Sequence, residues 1–248
     1  MDVEFELGVN SISPQTFESQ MRFIAAQGYT AITPDSLIQF ISSHSALPSN
    51  PILITFDDGY ENFYNYAYPI LKKYGLTATV FMLAAYIGRF NEWDVQRSLK
   101  RPKHLSACQI KTLFQNGIGF GSHGLHHRFL THCSRIEAKA ELEESKSRLE
   151  HIIAHPVRSF AYPYGSVDAE ASNLVKSAGY RIAFSLDPVR EVSRDSMYRF
   201  PRMGIYRCDT FRSFQGKLGL LGRHRFQIEC FKNRLINQFA YLNKLRFA

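Results

Sequence analysis

The sequence lacks several features that would each place it in a particular class of protein. Its four cysteines form no C-x-x-C pair, which disfavours a zinc knuckle or a dithiol redox motif and favours free thiols. It contains no run of roughly eighteen apolar residues, so no membrane-spanning helix is predicted. It has no internal repeat or low-complexity tract, and a hydrophobic content of 45% with 21% charged residues argues against global disorder.

A secretory signal is also lacking. The opening segment MDVEFELGVN is acidic and has no continuous apolar run, so we expect a soluble, cytoplasmic protein. The formal net charge of +8 indicates an acidic partner or surface. No recognised nucleic-acid-binding motif accompanies this charge, so we expect no nucleic-acid partner.

Strand and helix patterns alternate along the chain. Ser13-Pro14 opens a helical pattern that Gly28 ends, and Ser134 with Glu137 has capping-box spacing at the start of a long helix. Repeated strand–helix units with short connections predict a parallel sheet, and their number favours an α/β barrel over a short open sheet. In such barrels the functional side chains lie at the carboxyl ends of the strands.

Two adjacent carboxylates, Asp57 and Asp58, directly follow the predicted strand ILITF. Like charges this close repel each other, and a carboxylate beside a core resists desolvation. Asp-Asp-Gly is also good turn chemistry, so a simple turn is the alternative. The position at the carboxyl end of a strand favours a functional site.

A histidine-rich segment, GFGSHGLHHRF, follows a second predicted strand. One helical turn would bring His123 and His127, four residues apart, to the same side. Imidazole is a common transition-metal ligand, a carboxylate can complete the set, and three protein ligands leave one position open for water. The pairing of His123 with His126 stays open, as does the alternative that these are ordinary surface or core histidines.

A third strand end carries the stretch RSFAYPYG, Arg158 to Gly165. It can be a strand that ends in a Pro-Tyr-Gly turn. The functional alternative uses the permanent charge of Arg158 to orient a carboxylate. The tight turn would then aim a backbone N–H at a developing oxyanion.

These three motifs, in this order, resemble those of the polysaccharide deacetylases, the NodB-homology domains of carbohydrate esterase family four. Thr55 to Gly59 match T-F-D-D-G, His123 to Arg128 resemble H-S/T-x-x-H-P, and Arg158 to Gly165 resemble R-x-x-x-x-P-x-G. The resemblance implies a distorted (β/α)₇ barrel, which we place at residues 1–209, followed by a basic helical tail at 210–248.

The resemblance also implies the chemistry. It implies a divalent-metal site, with zinc as the expected ion, whose ligands are Asp58, His123 and His127. Asp57 would be the general base, Arg158 would position it, and the backbone N–H of Tyr164 would donate to the oxyanion. The implied reaction is hydrolysis of N-acetyl or O-acetyl groups on a sugar polymer or oligosaccharide, so the expected partner is an acetylated glycan.

Three departures from the family pattern leave alternatives open. Gly124 stands where the pattern has Ser or Thr, and Arg128 where it has Pro. No L-x-x-H-like motif supplies a general acid; the segment YRFPRMGIY contains Arg202, which cannot donate a proton at neutral pH. His126, or Asp57 returning its proton, are the candidates for the acid. The alternative function is a catalytically silent, carbohydrate-binding barrel.

The tail is basic, with apolar residues on one broad face of a predicted helix from about Phe226 to Phe247. That face can pack on the barrel. Alternatively, it can make a weak, peripheral contact with an anionic membrane surface. The predicted apolar face consists of Phe226, Ile228, Phe231, Leu235, Ile236, Phe239, Leu242 and Leu245.

Overall fold

The computed structural model describes residues 11–43, 45–92, 101–188 and 194–245. The acidic opening segment, and Phe247 at the predicted end of the tail helix, lie outside these residues.

Short strands and longer helices alternate through the described part of the chain. The strands are β1 Thr30–Ile32, β2 Pro51–Leu53, β3 Thr55–Phe56, β4 Thr79–Met82, β5 Gly119–Ser122, β6 Ser159–Ala161, β7 Ile182–Ser185 and β8 Phe200–Pro201. The helices are α1 Pro14–Ala26, α2 Pro34–Ser43, α3 Tyr68–Lys73, α4 Ala107–Gln115, α5 Arg135–Ile153, α6 Ala169–Ser177, α7 Phe211–Lys217 and α8 Gly222–Leu245.

All strand pairings in the two sheets are parallel. Strands β3 to β8 pair in chain order, and β1 pairs with β2. Only Ile54 separates β2 from β3, and its carbonyl accepts from the Thr79 N–H of β4 at 2.9 Å. The two short strands therefore act as one, and seven strands follow each other around a curled sheet. This confirms the predicted distorted (β/α)₇ barrel.

The core lies where helices cover the sheet. Every residue of β4 and β7 is buried, as expected for strands of a parallel sheet with both faces covered. Phe17, Met21 and Ile24 of α1 recur at helical spacing and are buried against this core. The predicted capping box of α5 is present, since Ser134 and Glu137 each bond the other's backbone N–H.

Helix α8 packs against the barrel through polar side chains. Glu229 and Asn233 are fully buried, and Asn233 Nδ2 donates to the Gly204 carbonyl at 2.8 Å. Two large apolar side chains of the same helix, Phe231 and Phe239, are 62% and 66% exposed. The helix that we predicted from its apolar face is thus present, but a polar face holds it to the barrel. Within the described ranges, no helix is both long and apolar enough to cross a lipid bilayer.

Candidate active site

The candidate site gathers residues from the carboxyl ends of four strands. Asp57 and Asp58 follow β3, His123 follows β5, and Arg202 follows β8. A turn after β6 contributes Tyr164. The parallel topology therefore brings together side chains that are as many as 145 positions apart in the chain.

The three predicted metal ligands lie together. Asp58 Oδ1 is 3.5 Å from His123 Nε2 and 3.4 Å from His127 Nε2, and the two Nε2 atoms are 3.2 Å apart. Both imidazoles are buried. Within the described residues, Asp58, His123 and His127 form the group whose ligand atoms could share one ion. Their role as ligands stays a prediction.

The chemistry of this donor set suits a divalent cation. His123 Nδ1 lies 2.7 Å from the Ala161 carbonyl oxygen, which can only accept, so Nδ1 carries the proton and Nε2 carries a lone pair. Burial lowers the pKa of His123 and brings the pKa of His127 well below its ordinary value, so both rings are neutral at pH 7. Two neutral imidazoles and a carboxylate oxygen are typical ligands of zinc.

The backbone is constrained at the same place. Asp58, His127 and Tyr164 have φ of 67°, 62° and 58°, in the left-handed region that non-glycine residues rarely adopt. Each such residue costs roughly 1–3 kcal/mol, and such strain gathers at functional sites. Gly59, which follows Asp58, cannot be replaced freely, because its φ is 70° and a Cβ there would clash with the buried Met82 side chain.

Asp57 is held by a guanidinium fork. Arg202 Nη1 donates to Asp57 Oδ1 at 2.7 Å and Nη2 donates to Oδ2 at 2.9 Å, and Nη1 also donates to Thr55 Oγ1 at 3.1 Å. Burial, the largest single effect, would raise the pKa of the Asp57 carboxyl, but the charge and hydrogen bonds of Arg202 together with the contribution of His123 outweigh it, and the pKa lies below its ordinary value. Asp57 is therefore ionised at neutral pH and fixed in orientation.

The predicted role of Arg158 is wrong. Arg158 precedes β6, so it lies at the amino end of the strand, opposite the site, and its Nη1 contacts Asp35 Oδ1 at 3.2 Å. Arg202, not Arg158, is the arginine that binds the Asp57 carboxylate. The signal was present in the sequence, since Arg202 directly follows the short strand Phe200–Pro201 and the carboxyl-end rule applies to it as well.

His104 is a residue of the site that was not predicted from the sequence. Its ring is fully buried between Tyr60 and Tyr86, and Nδ1 donates to the Asp58 carbonyl oxygen at 2.8 Å. Burial lowers the pKa of His104 to about 4, so the ring is neutral and donates this bond across the physiological range. The contact fixes the left-handed backbone of Asp58. A single histidine in a segment without regular structure gave no signal of this role.

Glu141 of α5 was also missed. It is buried, and its Oε2 accepts from the backbone N–H groups of Leu125 and His126 at 2.8 and 2.9 Å. Its Oε1 lies 2.7 Å from His126 Nδ1. This carboxylate thus holds the loop between the two predicted histidine ligands. The available signal was its place on the buried face of α5, which also carries Ala138, Leu142, Ser145 and Leu149.

The Glu141 contact explains one departure from the family pattern. A Cβ at Gly124 would lie 3.2 Å from Glu141 Oε2, and Gly124 has a φ of 87°. A side chain at position 124 would therefore strain the backbone and crowd the carboxylate. His126 pairs with Glu141 and does not belong to the cluster of Asp58 with the two other histidines.

Tyr164 lies beside the cluster. Its ring centroid is 4.3 Å from that of His127 and 4.0 Å from that of Phe129. Burial, with the charge of Asp58, raises the pKa of the Tyr164 phenol. The ring is therefore a neutral wall of the site, and its left-handed backbone forms a tight turn at the predicted oxyanion position.

Comparison with known proteins agrees with the fold. The chain belongs to the polysaccharide deacetylase family, because residues 44–183, more than half of the chain, match the sequence model of that family.

Individual relatives show the same similarity. The chain is 28% identical over 194 residues to the Bacillus subtilis protein YxkH, covering 78% of this chain and 65% of that protein. It is 26% identical over 204 residues to the poly-β-1,6-N-acetyl-D-glucosamine N-deacetylase of Staphylococcus aureus, covering 79% and 68%. A polysaccharide deacetylase structure from Bacillus cereus superposes with a TM-score of 0.71 at 26% identity, covering 88% and 66%. The chain thus spans about two thirds of the length of these relatives.

Proposed function

We propose that this protein is a metal-dependent deacetylase that hydrolyses N-acetyl, or alternatively O-acetyl, groups on a sugar polymer or oligosaccharide. The observation that carries the proposal is the cluster of Asp58, His123 and His127 beside the Asp57–Arg202 pair. The S. aureus relative, named for the removal of N-acetyl groups from a β-1,6-linked glucosamine polymer, favours an N-acetylated glycan.

The residues divide the work between holding a cation and moving a proton. Asp58, His123 and His127 would hold a divalent cation, for which zinc is the expected ion. When bound, such a cation polarises a carbonyl and lowers the pKa of water towards about 7. Asp57 accepts the proton of the attacking water, and Arg202 keeps both carboxylate oxygens aligned. General-base catalysis of this kind contributes typically ~10²–10⁴ in rate.

The oxyanion and the leaving group need two further donors. The backbone N–H of Tyr164, in its left-handed turn, is assigned to the oxyanion; one such donor contributes on the order of 10²–10³ in rate. Of the two candidates for the general acid, Asp57 is favoured, because His126 is hydrogen-bonded to Glu141. Asp57 would return the proton it accepted to the departing amine.

The test is acetate release from a panel of acetylated glycans, with and without a chelator. We expect release from at least one N-acetylated glycan, its loss with chelator and its return when metal is restored. His123→Ala and His127→Ala should lose bound metal, whereas His126→Ala should keep most of it. Asp57→Asn should keep the metal and lose hydrolysis, because an amide cannot accept the proton.

The same panel tests the alternative. Saturable glycan binding without acetate release by the metal-loaded protein would point to the carbohydrate-binding barrel without catalytic activity. A wild-type metal load in both His123→Ala and His127→Ala would remove these residues as ligands. Near wild-type acetate release by Asp57→Asn would remove Asp57 as the base.

We also propose a weak contact between the exposed face of α8 and an anionic membrane surface. The face carries Phe231, Leu235 and Phe239, all exposed. Residues 210–248 contain eight Lys or Arg and one Glu. Exposed aromatic residues among basic ones are typical of helices that lie at a lipid interface. This contact would add peripheral membrane attachment to the cytoplasmic location expected from the sequence.

A further inference from the structure

A cavity of about 390 Å³ opens beside the candidate active site. Three segments line it: the turn after β6, the residues after β7, and one face of α8. The lining residues include Tyr164, Ser166, Asp187, Arg234, Asn237 and Gln238. Because the Tyr164 ring also lies 4.3 Å from the His127 ring, centroid to centroid, Tyr164 borders both the cavity and the predicted metal site.

The wall formed by α8 is fixed in place. Asn237 Nδ2 donates to the Leu186 carbonyl at 2.8 Å, and the Tyr206 hydroxyl donates to Asn237 Oδ1 at 2.6 Å. Asn233, one turn earlier, is fully buried. These contacts anchor the helix so that Arg234 and Gln238, on neighbouring turns, line the cavity.

The polar groups of the cavity suit a neutral sugar. Arg234 Nη2 and Asp187 Oδ1 are 3.5 Å apart, so their opposite charges offset each other. The cavity therefore favours neither a cationic nor an anionic ligand. Gln238 adds amide donors and an acceptor, Ser166 adds a hydroxyl, and Leu186 adds an apolar residue to the lining. The volume lies within the range of small-ligand pockets, about 300–1,000 Å³. Hydrogen-bonding groups of this kind beside an apolar residue match the hydroxyls and the apolar C–H face of a hexopyranose.

We propose that this cavity is a subsite of the glycan site, which binds a neutral sugar unit next to the unit that is deacetylated. The proposal rests on the deacetylase function proposed above. It assigns Arg234 and Gln238 of the tail as specificity-determining residues. Both lie outside residues 44–183, which match the family model, so the selection of longer substrates would be a contribution of α8.

The test compares a long with a minimal substrate. In the metal-loaded protein, Gln238→Ala and Arg234→Ala should each lower kcat/KM for an N-acetylglucosamine pentasaccharide, tested in β-1,6- and β-1,4-linked forms, by about 3- to 10-fold, as expected for one lost hydrogen bond. Hydrolysis of a small chromogenic acetyl ester, which needs only the metal site, should not change. Gln227→Ala and Arg223→Ala are the matched controls, because both side chains are exposed on the same helix.

Equal losses on the ester and on the pentasaccharide, or no loss on either, would overturn the subsite. If the wild-type protein hydrolyses no acetylated substrate, the proposed function fails. The subsite is then tested by measuring pentasaccharide binding by calorimetry. An affinity that is 3- to 10-fold weaker in Gln238→Ala than in Gln227→Ala would support it. Equal affinities, or no saturable binding, would refute it.

Discussion

At the scale of residues, the two adjacent aspartates face different partners. Asp57 lies in the fork of Arg202, whereas Asp58 turns toward His123 and His127. The backbone of Asp58 is left-handed at this point, with a φ of 67°. The cost of two like charges side by side is thus reduced by a guanidinium on one side and by a site that suits a cation on the other.

Replacement of Arg202 by Lys should damage catalysis without emptying the metal site. An ammonium cannot make both bonds of the fork, so Asp57 loses orientation and its pKa rises toward the ordinary value. We expect kcat/KM for an acetylated glycan to fall by about 10- to 100-fold, as for a lost charge-assisted contact of roughly 1.5–3 kcal/mol. The acidic limb of the pH profile should move to higher pH, since the base is then protonated at higher pH.

Arg158→Lys provides the matched control, because Arg158 pairs with Asp35 at the opposite end of the sheet. It should keep wild-type kcat/KM and pH profile. A loss in Arg158→Lys as large as in Arg202→Lys would show that the assignment from the structure is wrong.

Glu141→Gln should weaken metal binding although Glu141 is not a ligand. The amide oxygen can still accept from the two backbone N–H groups, but an NH₂ group then stands where Oε1 faces His126 Nδ1, so that contact loses its acceptor and the carboxylate charge is gone. Partners that orient ligands typically contribute 10–100-fold in metal affinity, and we expect about 10-fold here because Glu141 acts through the loop.

Competition with a metal indicator would measure the affinity. Glu143→Gln is the control, since Glu143 lies on the exposed side of the same helix. Equal metal affinities in the two variants would limit Glu141 to a structural role.

At the scale of elements, the predictable parts of the fold are those with long or capped patterns. The apolar spacing of α1 and the capping box of α5 were sufficient to place both helices. Strand ends were harder, because a strand of two residues such as Phe200–Pro201 cannot show alternation. Because this strand was not predicted, the position of Arg202 at a strand end was not recognised. The third predicted strand included Arg158, whereas β6 begins at Ser159. Arg158 was therefore wrongly assigned as the residue that positions Asp57.

Helix α8 combines a polar buried face with exposed aromatic residues, and point variants can separate the two. We expect the protein to sediment with phosphatidylglycerol vesicles at low salt and to bind phosphatidylcholine vesicles less. Basic residues near an anionic surface contribute about 1 kcal/mol each, and salt should weaken the attraction. Phe231→Ala with Phe239→Ala should reduce vesicle binding and leave the melting temperature unchanged, because both side chains are exposed.

Phe40→Ala is the control for this variant, since Phe40 is an exposed phenylalanine on α2. Removal of α8 would be a poor test, because buried Glu229 and Asn233 would be lost with it. If the intact protein ignores anionic vesicles at low salt, the membrane proposal fails.

At the scale of the whole molecule, the parallel order of the strands determines where the chemistry collects. Because β3 to β8 pair in sequence, their carboxyl ends form one edge, and residues from distant motifs meet there. This rule predicted that the aspartate pair and the histidine segment lie at one edge, and the resemblance to the deacetylase family implied the group of Asp58, His123 and His127. It could not predict contacts made through loops and helix faces, such as those of His104 and Glu141, because they depend on packing rather than on strand order.

Three tyrosines tie the barrel together through buried hydroxyls. Tyr162 donates to the Tyr198 carbonyl at 2.8 Å, Tyr180 to the Leu142 carbonyl at 3.0 Å, and Tyr206 to Asn237 at 2.6 Å. Burial raises the pKa of all three phenols well above the ordinary value of 10. They link β6, α5 and α8, so their ionisation would affect the whole domain.

The free energy of unfolding should therefore fall steeply above pH 10. Above pH 10 the unfolded chain releases the phenolic protons while the folded protein keeps them. The stabilisation that the three phenols give to the folded protein is therefore complete below pH 10 and is lost as the pH rises toward their folded pKa values. Each tyrosine adds at most about 1.4 kcal/mol per pH unit to this slope. Urea unfolding between pH 8 and 11.5, a range chosen to bracket roughly the ordinary tyrosine pKa, should show a smaller slope in Tyr180→Phe. The exposed Tyr66→Phe should match wild type, and an unchanged slope in Tyr180→Phe would contradict the proposed role of its buried phenol.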